Sequence, residues 1–555
     1  MRERHKVIFL IFHNKYVSLL YMKRTLPFYT SLMILFLIVI AEFVALMIMN
    51  SGTFVYALDD AYIHLSVAES IAKGGYGINP GEFSSPSSSI LWPFLLAPFS
   101  CLPFFVYVPV LLNILCSFGT LFFSWKILNS VFDESEQKTF IITLLLMLLV
   151  AATGMVPLIF SGMEHSLQIM TVVIVLYVMI KELNGLFNPL QSILAIVLAS
   201  LVRYENLSIC LFAIAFFFVR GRMRHALYAL AGVIGIHLTF SLFLYYNGAA
   251  FLPTSVLLKT NSLQHSLVSF SKFVSTVSSY FGGFYFVVAV ISIGYYFLNA
   301  RKIPIATLGL GSGFVILLHL LNGYTQTLGD FSTNLAYSFR YEMYMWVFVL
   351  VILMIMGKSL IQSSARFSTV FTAMILIGAE LFFCARVNST FVTIPTASNN
   401  IYEQHYQNHR LLTEFYKGPA AANDIGYVAF QNEEPILDLW GLASREVWKL
   451  RLANPLKTAW MDSVVTSNEI KLAILYDVWF PFLPPAWTKV AELTLTKREV
   501  TASENVVSYY ATRADAVDGV KEALKRWQKT LPQQSMLVFA NPVIALAIDS
   551  TAAHR

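Results

Sequence analysis

The stretch YALDDAYIHLSVAESIAKGGYGINPGEFSSPSSSILW, residues 56–92, decides how the rest of the chain reads. It follows the first long apolar segment directly and sets Asp59 and Asp60 side by side where that segment ends. Two adjacent carboxylates just beyond an apolar span are costly unless they face water, a metal or a polar substrate. The plain alternative is helix capping of segment 61–73, because Asp is a good N-cap and acidic groups suit a helix start. Capping accounts for one aspartate more readily than for two.

Working outward, 57% of the 555 residues are hydrophobic and 13% charged, the composition of a polytopic α-helical membrane protein. The formal charge of +6 is small, and the basic residues are scattered at the ends of apolar segments. Nucleic-acid binding would need them clustered on one face. Cys101, Cys116, Cys210 and Cys384 lie in or beside apolar segments, so no disulfide framework is implied.

Residues 1–28 carry Arg2, Arg4, Lys6, Lys15, Lys23 and Arg24 without a convincing signal-peptide cleavage site, which predicts a basic cytoplasmic or interfacial arm. The first span is expected at 31–50, enough to cross ~30 Å of hydrocarbon at 1.5 Å per residue. Further spans are expected at 105–126, 140–158, 166–181, 189–202, 206–220, 226–245, 281–299, 304–321, 341–357 and 368–386, about 11 in all. With the N-terminus inside, the inner loops hold Lys126, Lys138, Lys181, Arg220, Arg222, Arg224, Arg301, Lys302, Lys358 and Arg366. The outer loops between spans hold only Lys73, Arg203, Lys259, Lys272 and Arg340. That bias predicts a cytoplasmic-membrane protein with the N-terminus inside, the Asp pair outside and the C-terminus outside. Segments 189–202 and 206–220 are read as two short helices around a polar break, since Arg203 and Glu205 fit poorly in one lipid-facing helix. A single kinked helix would reverse the side of the C-terminus. Glu42, inside the first span, is either paired within the bundle or functional.

From about Val387 the composition turns mixed. KLAILYDVW (471–479) and NVVSYYAT (505–512) suit strands, and 516–528 has helical spacing. The expected organisation is therefore an arm (1–28), a transmembrane domain (29–386) with a first outer loop at 51–104, and an extracytoplasmic soluble α/β domain (387–555).

Several polar clusters fall on the outer side. The first loop offers Asp59, Asp60, His64 and Glu69, and the spacing of Asp60 and His64 puts them on one helix face. GGYG (74–77), NPGE (79–82) and SSPSSS (84–89) are turn chemistry that can hold an ordered loop against a substrate. A flexible connector would not need Tyr76, Phe83 and Trp92. SGMEHS (161–166) places Glu164 and His165 at the top of a helix, as a capping turn or as a second carboxylate and metal ligand. VRYEN brings Arg203 and Glu205, a local ion pair or part of a site. YYNGAAFLPTSVLLKT (245–260) brings Lys259, and GYTQTLGDFSTNLAYSFRYEMY (323–344) brings Asp330, Arg340 and Glu342. Basic side chains near the interface commonly snorkel; several converging on one cavity would suit a phosphate or pyrophosphate. Carboxylates above a bilayer with cations at the headgroup level fit sugar transfer from a polyprenyl phosphate: one takes the acceptor's proton and the others offset charge on the departing phosphate. The sequence holds no nucleotide-binding fingerprint in a strand-to-helix setting, which disfavours a nucleotide-sugar donor.

The opening stretch, extended through PFLLA, resembles the first-loop signature of GT-C superfamily integral-membrane glycosyltransferases, in particular the mycobacterial terminal arabinofuranosyltransferase group and its relatives. There an acidic pair opens the loop, an N-P-G turn follows and a small-residue segment leads into a helix. SGMEHS is similar to the group's S-G-hydrophobic-E segment, VRYEN to its R-P-E segment, and YYNGAAFLPTSVLLKT to its Y-Y-G, P-N-T and K segment. GDFSTNLAYSFRYEMY resembles its late G-D and R-Y/F pattern, and NDIGYVAFQNEEPILDLWGLASREV (423–447) the start of its soluble domain. Tyr204 replaces a proline, Ser255 is shifted against the usual threonine, and the serine run replaces E-G-Y-T-S. These departures bear on donor and acceptor more than on reaction class.

The resemblance implies a GT-C-like fold. It also implies an inverting transfer from a polyprenyl-phosphate sugar donor to a cell-envelope glycan, lipid or protein acceptor on the outer face of the cytoplasmic membrane. It implies Asp59 or Asp60 as general base, with Asp59 slightly preferred, and Glu164 assisting or ligating a metal. Arg203, Lys259 and Arg340 would contact donor phosphate, and His64, His165, Glu205 and Asp330 would complete the cavity. A divalent cation (Mg, Mn or Ca) is used by some relatives. The geometric expectation is that the carboxyl groups of Asp59, Asp60 and Glu164 line one cavity beside a guanidinium or ammonium. The competing readings are a transporter or flippase for lipid-linked glycans, for which Glu42 and His237 are the buried candidates, and a non-catalytic envelope assembly protein.

Overall fold

The computed structural model describes residues 2–135, 137–257, 274, 277–278, 280–299, 304–321, 338–358, 393–454, 458–480, 482–532 and 535–540, with side chains from residue 24 onward except at 280–282 and 338–339. Within these residues the apolar segments are helical, as their lack of water-facing partners for backbone groups demands. In order they are α1 (Arg2–Met49), α2 (Asp60–Ala72), α3 (Leu91–Leu96), α4 (Val108–Val131), α5 (Lys138–Ala152), α6 (Met155–Phe160), α7 (His165–Leu183), α8 (Pro189–Val202), α9 (Leu207–Val219) and α10 (Met223–Tyr246). Helices Tyr280–Asn299, Thr307–Leu321 and Met343–Met356 follow.

Eleven full-length spans are not confirmed among the described residues. Among the described residues, five helices have the length and composition to cross a membrane: Arg24–Met49, Phe105–Val131, His165–Leu183, Met223–Tyr246 and Pro304–Leu321. Lys138–Ala152, Pro189–Val202, Tyr204–Val219, Gly283–Asn299 and Met343–Met356 are apolar but shorter, and segment 368–386 lies outside the described residues. Backbone breaks shorten three of these helices. Gly154, left-handed at φ +57°, cuts the expected 140–158 segment in two. Arg203, extended at φ −156° and ψ 148°, separates α8 from α9, so that pair is two short helices. The residues of the expected arm at 1–28 are helical and continuous with the first span, Arg2–Met49 being one helix.

The helices gather into a bundle with chemically distinct ends. At one end lie Arg24 bonded to Glu134, Lys138 to the same carboxylate, Lys358 to Asp133 and Arg222 to Glu182. At the other end the C-termini of α1, α8 and α10 and the N-terminus of α7 surround the 56–92 stretch. Tyr76 and Trp92 are buried there, as are Ser84, Ser85, Ser87 and Ser89, so this stretch is an ordered structural layer and not a flexible connector.

A helical rod seats the C-terminal unit on that end. It runs from Ile394–Ile401 through a π-helical turn at Tyr402–Tyr406, then Gln407–Arg410 and a second π turn at Leu411–Tyr416. Asn50 donates to Ser398 Oγ at 2.7 Å, and Ser398 donates to the Val55 carbonyl at 2.6 Å, fastening the rod to the end of α1. A six-stranded sheet follows in the order β2-β1-β3-β5-β4-β6. Its strands are β1 (Ala420–Ala422), β2 (Ile436–Asp438), β3 (Leu472–Leu475), β4 (Thr488–Thr494), β5 (Val506–Ala511) and β6 (Met536–Phe539). The first three are mutually parallel and the rest antiparallel. Alternate residues serve opposite faces. Ala420, Leu472 and Ile474 pack with Leu524 and Trp527 of helix Val517–Gln528, while Ala421, Ala473 and Leu475 pack with Trp460 and Val464. Ile63, Val67, Tyr76 and Ile78 of the first loop belong to the former cluster, so the sheet unit and the loop share one core.

Candidate active site between bundle and sheet

Parallel strands present their carboxyl ends together, the usual place for a site in an open α/β sheet. Here the loops after β1, β2 and β3 all turn toward the bundle. The loop after β1 supplies Asp424, Gly426 and Tyr427; the loop after β2 supplies Trp440 and Leu442; Tyr476 follows β3 directly.

Asp59 stands at the N-cap position of α2 yet makes no side-chain cap hydrogen bond. Its carboxylate accepts instead from the backbone N–H of Gly426 (2.7 Å, Oδ2) and of Tyr427 (2.8 Å, Oδ1), across the gap to the sheet unit. His405, in the first π turn, places Nδ1 3.0 Å from Asp59 Oδ1 and Nε2 3.9 Å from Asp424 Oδ2. The Tyr476 hydroxyl lies 3.1 Å from that Nε2 and donates to Gln404 Oε1 at 2.8 Å. Burial pushes Asp59 up, but the His405 charge together with the hydrogen bonds from His405 and the Tyr427 N–H holds the carboxyl below its usual range. Burial, then the charge of Asp59, pushes Asp424 well above its own. Burial alone would lower His405; Asp59 and Asp424 overcome it and push the imidazole up to about 9.

Asp60 faces elsewhere, because neighbouring residues on a helix point about 100° apart. Its carboxylate receives Arg340 NH2 at 3.1 Å, and its side chain keeps 41% exposure against 7% for Asp59. A cavity of about 210 Å³ opens beside it, lined by Asp60, His64, Ser88, Met163, Arg203, Ser255, Tyr341, Trp440 and Leu442 among others. Trp440 and Leu442 mean that the sheet unit closes one wall of a chamber whose other walls are bundle and first loop.

Behind this wall sits Glu164, fully buried. It pairs with Arg203 NH1, accepts from Ser88 Oγ at 3.0 Å and lies 3.2 Å from His64 Nε2. Burial raises its carboxyl, yet the charges of Arg203 and then His64 hold it well below the usual range. Arg203 also donates to both oxygens of Glu205, at 3.1 and 2.8 Å, so the local ion pair and the site network are the same object. Ser87 Oγ, 3.1 Å from His64 Nδ1, orients the imidazole.

The expectation that Asp59, Asp60 and Glu164 line one cavity is corrected by this geometry: Asp60 alone does. Asp59 is turned to the sheet unit and Glu164 is shielded by Arg203 and Ser88. His64 and Arg203 line the same cavity as Asp60, and Arg340 bonds the Asp60 carboxylate. His165 is buried one step away, with Nδ1 3.1 Å from Gln168 Oε1, and Glu205 bears on the site through Arg203. Lys259 and Asp330 lie outside the described residues.

Comparison with known proteins adds little beyond shape. Residues 399–511 match a family described as Domain of unknown function (DUF8728). This covers the rod from Asn399 and the sheet through β5, and so includes His405, Asp424 and Trp440. No curated protein matches the chain. Among solved structures, the Archaeoglobus fulgidus oligosaccharyltransferase is similar in two crystal forms. In the apo form the TM-score is 0.46 at 11% identity, covering 92% of this chain and 76% of that one. In complex with Zn and sulfate it is 0.43 at 10%, covering 90% and 74%. Likeness at this level is loose and leaves donor, acceptor and mechanism to the chain's own residues.

Sequence reasoning assigned no role to His405, Asp424 or Trp440. Asp424 and Trp440 sit inside the 423–447 segment, where strand-end position was the available signal. His405 has no motif spacing at all; only the docking of the rod brings it to Asp59.

Proposed function

We propose that this protein is a membrane glycosyltransferase that moves a sugar from a polyprenyl-phosphate donor to a glycan, lipid or protein acceptor at the outer face of the cytoplasmic membrane. The observation that carries this reading is the cavity where Asp60, His64 and Arg203 meet under Trp440, at the end of a bundle of apolar helices. A lipid tail can stay among the helices while its headgroup enters the chamber.

In this reading Asp60 is the general base. Asp59 is less suited, because both its oxygens are already engaged by Gly426, Tyr427 and His405. The acceptor hydroxyl gives its proton to Asp60 as its oxygen bonds to the anomeric carbon. The bond from that carbon to the phosphate oxygen breaks on the opposite face, inverting the centre, and the phosphate departs with the electron pair. Arg340, beside Asp60, offsets the departing charge, a role also assigned to Lys259. Arg203 is largely committed to Glu164 and Glu205, and chiefly holds the chamber in shape.

The test is transfer of label from a panel of polyprenyl-phosphate sugars by purified protein in detergent. Asp60→Asn is expected to lower turnover by roughly 10²-fold or more, the usual worth of a general base, with folding intact. Wild-type turnover by correctly folded Asp60→Asn would remove Asp60 from the role. Failure of the wild-type protein with every donor would remove the sugar-transfer reading.

A further inference from the structure

Asp59, His405 and Asp424 come from the first loop, the π turn of the rod and the loop after β1, yet their donor atoms lie within 4.8 Å of one another. His405 Nδ1 and Asp59 Oδ1 lie 3.0 Å apart, a separation that suits two ligands of one ion with bonds of ~2.0–2.2 Å. Asp424 Oδ2 lies 3.9 Å from Nε2, too long for a hydrogen bond between them. The Tyr476 hydroxyl gives its own proton to Gln404 and so accepts from Nε2–H at 3.1 Å, which fixes the tautomer whose Nδ1 is open to an ion. The carboxyl groups of Asp59 and Asp424 also meet each other, with the charge of Asp60 acting on Asp424. Two carboxylates this close, Asp59 buried and Asp424 23% exposed, need a proton or a cation between them. The surrounding groups are those that orient metal ligands: Gly426 and Tyr427 N–H on Asp59, and Tyr476 beside the imidazole.

We infer that Asp59, His405 and Asp424 bind a divalent cation at the junction of the bundle and the sheet unit, one of the ions that accept imidazole together with carboxylates, Mn²⁺ or Zn²⁺ rather than Mg²⁺ or Ca²⁺. The ion ties three distant chain segments and explains why a first-loop aspartate turns away from the cavity. This inference stands whether or not sugar transfer is the activity, because binding is read without any donor.

Full-length protein in detergent is stripped with chelator and dialysed against Mn²⁺ or Zn²⁺, and bound metal is measured. About one ion per chain is expected at micromolar metal, with His405→Gln and Asp424→Asn each weakening binding by about tenfold or more and the exposed Glu522→Gln leaving it unchanged. Should either ligand variant fold poorly, pulsed EPR of the Mn²⁺-loaded wild-type protein reads the same point, since a coordinated imidazole gives ¹⁴N modulation. Absence of binding up to millimolar metal would overturn the site and leave a charged Asp–His–Asp latch. Stoichiometric binding with no ¹⁴N coupling would place the ion elsewhere and equally overturn it.

Discussion

Gly426→Ala tests the junction most directly. A β-carbon on Gly426 would stand 2.2 Å from the Asp59 carbonyl oxygen, 2.3 Å from Oδ2 and 2.5 Å from Cγ. The nearest of these is backbone, so no side-chain rotation relieves the clash, and the loop must withdraw by roughly 1 Å to reach ordinary contact. The bonds from Gly426 N (2.7 Å) and Tyr427 N (2.8 Å) to the Asp59 carboxylate would then stretch past hydrogen-bonding range. Hydrogen bonds to a charged group are worth about 1.5–3 kcal/mol each, so the docked state stands to lose about 3–6 kcal/mol. The assay is thermal unfolding in detergent, followed by the tryptophans of the sheet unit, with limited proteolysis of the rod. Gly519→Ala is the control, because nothing lies within 4 Å of its added β-carbon and alanine gains up to ~1 kcal/mol inside a helix. Gly426→Ala is expected to unfold earlier and to expose the rod to protease, and Gly519→Ala is not. Equal stability of the two variants would refute the claim that Asp59 clamps the sheet unit.

Three further outcomes follow from the same geometry. Glu164→Ala leaves Arg203 buried with Glu205 alone and takes away the carboxylate beside His64; a loss of about 3–5 kcal/mol is expected in chemical denaturation, with Glu164→Gln losing less. Asn79→Ala removes both bonds, 2.9 Å each, by which the side-chain amide satisfies the backbone N–H and C=O of Ile436 on the edge strand β2; about 1–3 kcal/mol should go, seen as faster hydrogen exchange at Ile436–Asp438. Burial raises the Asp438 carboxyl to about 6, even though it accepts from the N–H groups of Ala443, Gly441 and Trp440. A carboxyl raised on folding stabilises below its unfolded value and loses that contribution as pH climbs through about 6. Wild-type stability should therefore fall between pH 4 and pH 6 relative to Asp438→Asn by up to about 3 kcal/mol, and parallel curves would contradict this.

The primary structure carried much of this protein plainly. Apolar runs long enough to cross hydrocarbon can only be helices, and Arg24, Lys138, Arg222 and Lys358 near their ends lie at one pole of the bundle. The alternating runs 471–479 and 505–512 became β3 and β5, and the amphipathic 516–528 became the helix covering one sheet face, because period alone fixes which side chains meet a core. The first loop's polar residues marked the site, and Asp60 with His64 reached it together because four residues bring a helix face round once. Span length was not legible: a single left-handed glycine, Gly154, or an extended Arg203 shortens a helix without changing its hydropathy.

Folding in three dimensions decided the division of labour between Asp59 and Asp60. Identical neighbours in the chain acquire opposite environments, one clamped by Gly426, Tyr427 and His405 and the other open to a chamber with Arg340 at its side. Those partners come from places hundreds of residues away, and no local pattern ties them to the first loop. Their meeting is set by how the rod docks on α1 and by the parallel strands whose carboxyl ends all face the bundle, a property of packing that exists only once the elements are assembled.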